Sequence, residues 1–109
     1  MLDKFKAENL SDPNGNPHGG TVDGTGLSIK WQQGPLGRGE ERQEPNGAFV
    51  ETVIAAVVQR IEYYQTAQNK KFACRENAIA ITKLEEALLW LNKRTQDREA
   101  RQVEGTHTV

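Results

Sequence analysis

The run from Cys74 to Gly105, CRENAIAITKLEEALLWLNKRTQDREARQVEG, constrains the fold more than any other stretch of the chain. Ala78, Ile81, Leu84, Leu88 and Leu91 recur at steps of three and four residues, the period that lines side chains along one face of an α-helix. Beyond Leu91 the apolar stripe stops, and Arg94, Arg98 and Arg101 continue it at i, i+4, i+7 spacing. One helical edge thus changes from apolar to cationic along its length. Its first half predicts a core contact, and its second half an encounter with something anionic. A helix of about 28 residues rising about 1.5 Å each reaches about 40 Å.

A second helical pattern precedes it. Phe49, Val50, Val53, Ile54, Val57, Val58 and Ile61 fall as adjacent pairs at helical spacing. The spacing predicts a helix from Gly47 to Thr66, with Asn46 as the N-cap that accepts from an orphan N–H of the first turn. β-Branched residues are only fair helix formers, so packing must hold this helix. Ala67 to Phe72 is a polar connection short enough to make the two helices antiparallel neighbours. The second helix starts near Cys74 or Arg75 with Asn77 in its first turn, and Gly105 reads as its stop.

Upstream of the helices the pattern changes. Met1 to Gly20 is polar, with Asp12-Pro13-Asn14-Gly15 and His18-Gly19-Gly20 marking sharp turns, and reads as a segment open to disorder. Leu27, Ile29 and Trp31 then alternate with Ser28, Lys30 and Gln32, which predicts a half-buried strand from Leu27 to Gln32. Asp23-Gly24 suits a hairpin turn to a short strand near Val22. Gln33 to Gly47 carries too many Gly and Pro residues for a regular element. The expected organisation is a polar segment over 1–20, a β-hairpin and Gly/Pro-rich basic loop over 21–46, and a helical hairpin over 47–105, all in one α+β domain.

At 109 residues such a domain buries only about 60 to 70 per cent of its unfolded surface. Apolar residues are 36% and the mean hydropathy is -0.73, low enough to predict that subunits share a core, as a dimer at least. A net charge of -1 argues against duplex DNA or RNA, which demands a broad cationic surface, so any anion site is local. One cysteine excludes an intramolecular disulfide and suits a reducing cytoplasm. The sequence shows no 18-residue apolar run and no signal-peptide core, so a membrane partner is not expected.

The arginine row has two readings. Cations near a helix C-terminus complement the macrodipole, with Asp97 pairing to Arg94 or Arg101. Alternatively they clamp phosphate, since guanidinium forks match phosphate oxygens bidentately. Arg38 and Arg42 lie in the glycine-rich loop, where backbone N–H groups can approach an anion, but GPLGRG lacks the lysine and hydroxyl of a P-loop. Trp31 and Phe72 are either stacking surfaces for a base or core residues, and Asn77 either reads a ligand edge or caps its own helix. Catalysis has thin support. His18 and His107 lie in the end segments, Cys74 has no histidine nearby in sequence, and Glu85-Glu86 point in different directions as a solvated face. No metal-ligand spacing occurs, and no cofactor is expected.

In order, WQQGPLG, EPNGAFVETVI, FACREN and RTQDREARQVEGTH resemble the phage-encoded Thoeris anti-defence sponge family, which shares a helical-hairpin domain with the phage sponges that counter CBASS immunity. The resemblance covers about residues 21 to 107, and RTxxREARxVEGTH is its most specific part. It implies a non-catalytic protein, acting in the cytoplasm of the infected bacterial host, that sequesters cyclic ADP-ribose isomers made by TIR enzymes. Some members also hold cyclic di- or trinucleotides in separate pockets of a hexamer. It further implies that Arg94 and Arg98 grip the pyrophosphate, Asn77 contacts the ligand, Phe72 stacks on adenine, and Arg42 or Arg38 completes a site shared by two protomers. Thr106 and the basic loop are its candidates for a second pocket, and Gln102 stands where the family carries a glycine. The alternatives are a helical-hairpin protein-interaction module and a nucleotide-hydrolysing enzyme.

Overall fold

The computed structural model describes residues 4–109, which form β1 (Phe5–Ser11), β2 (Pro17–Gly24), β3 (Leu27–Lys30), α1 (Val50–Lys70) and α2 (Arg75–Ala100). The architecture is α+β. The chain divides into two compact units, one running through Phe49 and resuming over Glu99–Val109, the other spanning Val50–Arg98.

In the first unit the strands pair antiparallel in the order β1-β2-β3. The β2–β3 hairpin lies where the alternation of Leu27 and Ile29 places it, with Val22 opposite Ile29. Its turn is two residues further on than the Asp23-Gly24 pair suggested. Asp23 faces Ser28 and Gly24 faces Leu27, so Thr25-Gly26 closes the hairpin. The Asp23 carboxylate instead accepts a hydrogen bond from the Ser28 hydroxyl across the strands (3.2 Å). The strand also stops at Lys30 rather than Gln32, because Trp31 and Gln32 leave the sheet to meet Ala48. The Ala48 N–H donates to Lys30 O (2.7 Å) and the Gln32 N–H to Ala48 O (3.0 Å). A Cβ on residue 47 would run into the Trp31 carbonyl, which explains Gly47.

The polar segment before Gly20, whose order the sequence left open, forms strand over Phe5–Ser11 and from Pro17 onward; the first three residues of that segment lie outside the described residues. Every β1 residue is exposed, so β1 carries no apolar face for periodicity to reveal. Main-chain pairing and one turn hold it. Asp12 Oδ1 accepts the N–H groups of Asn14 (2.9 Å) and Asn16 (3.0 Å), and Oδ2 accepts from Asn16 Nδ2 (3.2 Å). These bonds, led by the Asn16 N–H, hold the Asp12 carboxyl below its ordinary range. His18-Gly19-Gly20, expected as a turn, lies within β2 at a bulge where the register slips between Asn9↔Gly20 and Ser11↔Pro17.

The second unit is the helical hairpin. α1 begins at Val50, later than expected, because Asn46 does not cap it. Asn46 N–H donates to Gln32 Oε1 and its Oδ1 accepts from the Gln33 N–H, both at 2.8 Å, so its side chain clasps the loop to the end of the sheet. Regular helix ends at Thr66 as expected, since Ala67, Gln68 and Asn69 have non-helical dihedrals. Gln68, Asn69 and Lys70 are all left-handed, at φ 53, 53 and 68. Gln65 then ties the connection to the next helix: its Oε1 accepts from the Cys74 N–H (2.9 Å) and its Nε2 donates to Cys74 O (3.1 Å).

Val58, at 7% exposure, is the one buried hydrophobic residue among those described. Ile54 and Ile61 in α1, and Ile81, Leu84, Leu88 and Leu91 in α2, are half-buried at helical spacing, and the α2 stripe continues through Thr95 to Arg98. Ala78, expected on that stripe, is exposed. α2 ends at Ala100, short of the expected stop at Gly105. Gln102 terminates it at φ 60, donating its N–H to Glu99 O (3.0 Å) in the position where glycine is usual. Among the described residues no helix is long and apolar enough to cross a membrane.

Candidate functional site

In the first unit a loop and the chain's last residues are stitched together around two arginines. A short 3-10 turn, Gly39–Glu41, folds the loop back so that the Gln43 N–H donates to Leu36 O (2.7 Å). The Gly37 N–H donates to Gly105 O (2.9 Å). Gly105 has φ 79, and a Cβ there would strike the Gly37 carbonyl, so glycine is required both by conformation and by space. Its place in the sequence thus marks the docking of the tail rather than the end of the helix.

Arg38 and Arg42 converge on Glu104. Arg42 Nη1 and Nη2 meet Glu104 Oε2 and Oε1 at 2.7 and 3.2 Å, a two-pronged pair, and Arg42 Nη1 also reaches Gly37 O (3.4 Å). Arg38 Nη1 donates to the Glu104 backbone carbonyl (3.1 Å). The hydrogen bonds that Arg42 donates to Glu104, together with that carboxylate's charge, raise the Arg42 pKa above its ordinary value. Arg38, Gly39, Arg42, Glu99 and Glu104 line a cavity of about 300 Å³ that opens to solvent. Guanidinium groups held on a glycine-bearing loop present the fork geometry that carboxylates and phosphates share.

The other candidates in this unit hydrogen-bond to the main chain elsewhere. The Thr106 hydroxyl donates to Val103 O (2.5 Å) and accepts from the Thr108 N–H (3.2 Å), which curls the tail. Arg101 Nη2 donates to Val109 O (3.0 Å). Trp31 is half-buried, with its N–H on Gly20 O (3.0 Å) and its main chain bridged to Ala48.

The second unit carries Phe72, Asn77, Arg94 and Arg98. Phe72 lies two residues beyond the last left-handed residue, Lys70, is 53% exposed, and has Lys71 Nζ 5.4 Å from its ring centroid. Its exposure leaves a ring face for stacking. Asn77 is half-buried in the first turn of α2. Along the arginine row Arg98 is half-buried and Arg94 exposed, so the two differ in environment despite their regular spacing. Among the described residues no group of three or more His, Cys, Asp and Glu side chains is placed to hold a metal ion.

Sequence reasoning missed Glu104 and Gln65. Glu104 contacts Arg42 across 62 residues, a separation with no periodic signal, and Gln65 acts through main-chain bonds that any amide side chain can make.

A three-stranded antiparallel sheet followed by two helices defines an α+β protein. The model of the Acb2/Tad1 hairpin domain matches residues 26–96, and the chain belongs to that family. It is also 52% identical over 80 residues to a protein of Bacillus phage SBSphiJ7 named Thoeris anti-defense 1, an alignment covering 73% of this chain and 51% of the relative. The chain therefore spans about half the length of that curated relative.

Proposed function

We propose that this chain is a phage anti-defence protein that binds a cyclic nucleotide immune signal and withholds it from its effector, without turnover. The observation that carries the proposal is the match to the Acb2/Tad1 hairpin domain together with the relative named Thoeris anti-defense 1. Cyclic ADP-ribose isomers are the proposed ligands, with cyclic di- and trinucleotides as further ones. Arg94 and Arg98 hold the pyrophosphate, Asn77 contacts the ligand, Phe72 stacks on adenine, and Arg42 with Arg38 contributes from the loop. Thr106 serves a second pocket. The protein works in the cytoplasm of the infected host.

Sequestration needs ground-state affinity and gains nothing from turnover, unlike catalysis. Nanomolar binding corresponds to about 12 kcal/mol, which four guanidiniums from two chains, two stacked rings and a closed loop would supply after desolvation and ordering costs. The proposed assembly is accordingly a homo-oligomer, a dimer at least and a hexamer in its full form. Exposed Val50 (50%), Val57 (45%), Leu89 (69%) and Trp90 (70%) support a core shared between copies.

The test is to incubate the purified full chain with a cyclic ADP-ribose isomer, wash, denature by heat and identify the released compound by mass spectrometry. Intact ligand is expected, and Arg98→Glu should abolish its capture while leaving oligomer mass and helicity unchanged. Linear product would replace the sponge by a hydrolase. No captured ligand would leave the hairpin as a protein-interaction module, the reading that the exposed Leu89 and Trp90 pair favours.

A further inference from the structure

The Arg42 fork is not waiting for a ligand; it already holds one. Both of its terminal nitrogens engage the two oxygens of the Glu104 carboxylate, at 2.7 and 3.2 Å. A planar guanidinium edge accommodates one bidentate oxyanion at a time. A phosphoryl group approaching that edge therefore meets a competitor built into the chain. We infer that Glu104 is an internal anion occupying the Arg38–Arg42 cavity, which a phosphoryl oxyanion displaces on binding, so that Glu104 sets the affinity threshold of this subsite. The inference rests on the anion-binding reading proposed above.

The local geometry makes such an exchange a side-chain event. The Glu104 backbone is fixed independently of its carboxylate: its carbonyl accepts from Arg38 Nη1 (3.1 Å), and the next residue's carbonyl accepts from the Gly37 N–H (2.9 Å). The carboxylate can leave while the tail stays docked. The Arg42 and Glu104 side chains are 43% and 26% exposed, so a solute reaches the pair without any opening of the fold. Charge favours the exchange only for certain solutes. The cavity is lined by two arginines and two glutamates, Glu99 and Glu104, and is formally neutral while Glu104 is seated. Withdrawing one carboxylate leaves a net positive site. A singly charged, monodentate anion offers the fork nothing that Glu104 does not already supply, whereas a phosphoryl group with two free oxygens and higher charge does. Glu104 thus sets a threshold: it lowers the affinity of every anion that competes for the fork by the same factor, so only those with strong intrinsic affinity stay bound.

The size of that factor follows from occupancy. If the carboxylate holds the fork about nine-tenths of the time, the apparent affinity of any competitor falls about tenfold. The experiment is calorimetric titration of the full chain with inorganic pyrophosphate, comparing wild type, Glu104→Gln and Glu44→Gln. The last variant makes the same charge change at an exposed loop residue outside the cavity. Glu104→Gln is expected to bind pyrophosphate about three- to tenfold more tightly than wild type, and Glu44→Gln to match wild type. Equal or weaker binding by Glu104→Gln would overturn the inference, as would an equal gain in Glu44→Gln.

A second measurement needs no mutation and so survives a variant that misfolds. In wild-type protein, the Glu104 side-chain carboxyl 13C resonance should move to the position of a solvated carboxylate as pyrophosphate saturates the Arg42 Nε signal. An Arg42 shift without any Glu104 shift would mean that the anion adds to the pair rather than replacing it, and would equally end the proposal. Failure of the functional reading looks different. Cyclic ADP-ribose would not be captured by any variant, while the pyrophosphate exchange at Glu104 persisted.

Discussion

Gln102 holds the left-handed position that ends α2, at φ 60, with its N–H on Glu99 O (3.0 Å). Replacing it by glycine changes two quantities of opposite sign. Relief of the contact between Cβ and the neighbouring carbonyl is worth about 1 to 2 kcal/mol, and the added freedom of an unfolded glycine costs about 0.5 to 1 kcal/mol. The difference favours the folded state by about 0.5 to 1 kcal/mol, or a rise of about 2 to 8 °C in Tm for a domain of this size. Gln102→Ala provides the comparison, because alanine keeps the Cβ and hence the strain. The assay is urea and thermal unfolding followed by circular dichroism at fixed protein concentration, so that any linked assembly does not shift the midpoint. Gln102→Gly should be the most stable of the three proteins, with an unchanged denaturant slope. If it unfolds at or below the Gln102→Ala midpoint, the left-handed cap stores no strain and the reasoning fails.

Two further outcomes follow from other hydrogen bonds. The Asp12 carboxyl is held below its ordinary pKa by the Asn16 and Asn14 N–H groups. A depressed folded-state pKa means that its contribution is fully present above the unfolded value of about 3.9 and drains away as pH falls through the lower folded value. Amide exchange at Asn14 and Asn16 should therefore accelerate, relative to the rest of the sheet, only below about pH 4, and Asp12→Asn should remove that dependence. Gln65→Ala removes both hydrogen bonds to Cys74 and should cost about 1 to 3 kcal/mol in urea unfolding, while Gln65→Glu, which keeps the acceptor for the Cys74 N–H, should cost less.

The helices were legible because their apolar residues repeat. The stripe through Ile81, Leu84, Leu88 and Leu91 is half-buried as its period predicts, and α1 leaves helical geometry after Thr66. What the period could not convey was where the α2 stripe leads: through Thr95 to Arg98, with Arg94 outside it. β1 was invisible for the opposite reason. FKAENLS buries nothing, and its partner strand breaks register at a bulge, so neither alternation nor hydrophobicity reports the pairing. Asn46 illustrates a third limit. An Asn ahead of a helical pattern suits a cap, yet its side-chain oxygen accepts from the Gln33 N–H instead, while its own N–H donates to the Gln32 side chain. The arginines of the loop were identifiable as cations, but Glu104, whose carboxylate meets Arg42 and whose backbone carbonyl meets Arg38, lies 62 and 66 residues downstream, where only three-dimensional proximity discloses it.

That separation has a kinetic consequence. The bonds from Arg38 and Arg42 to Glu104 close a ring of chain that contains both helices, and closing a long flexible ring carries an entropy cost that grows with the logarithm of its length. Once the helices have formed they shorten the path to be closed, so docking of the tail is the natural last step of folding. The residues that complete this ring are also the last to leave the ribosome among those described. The arginine loop is therefore made early, remains without its resident carboxylate while the helices are synthesised, and acquires it only when the tail arrives.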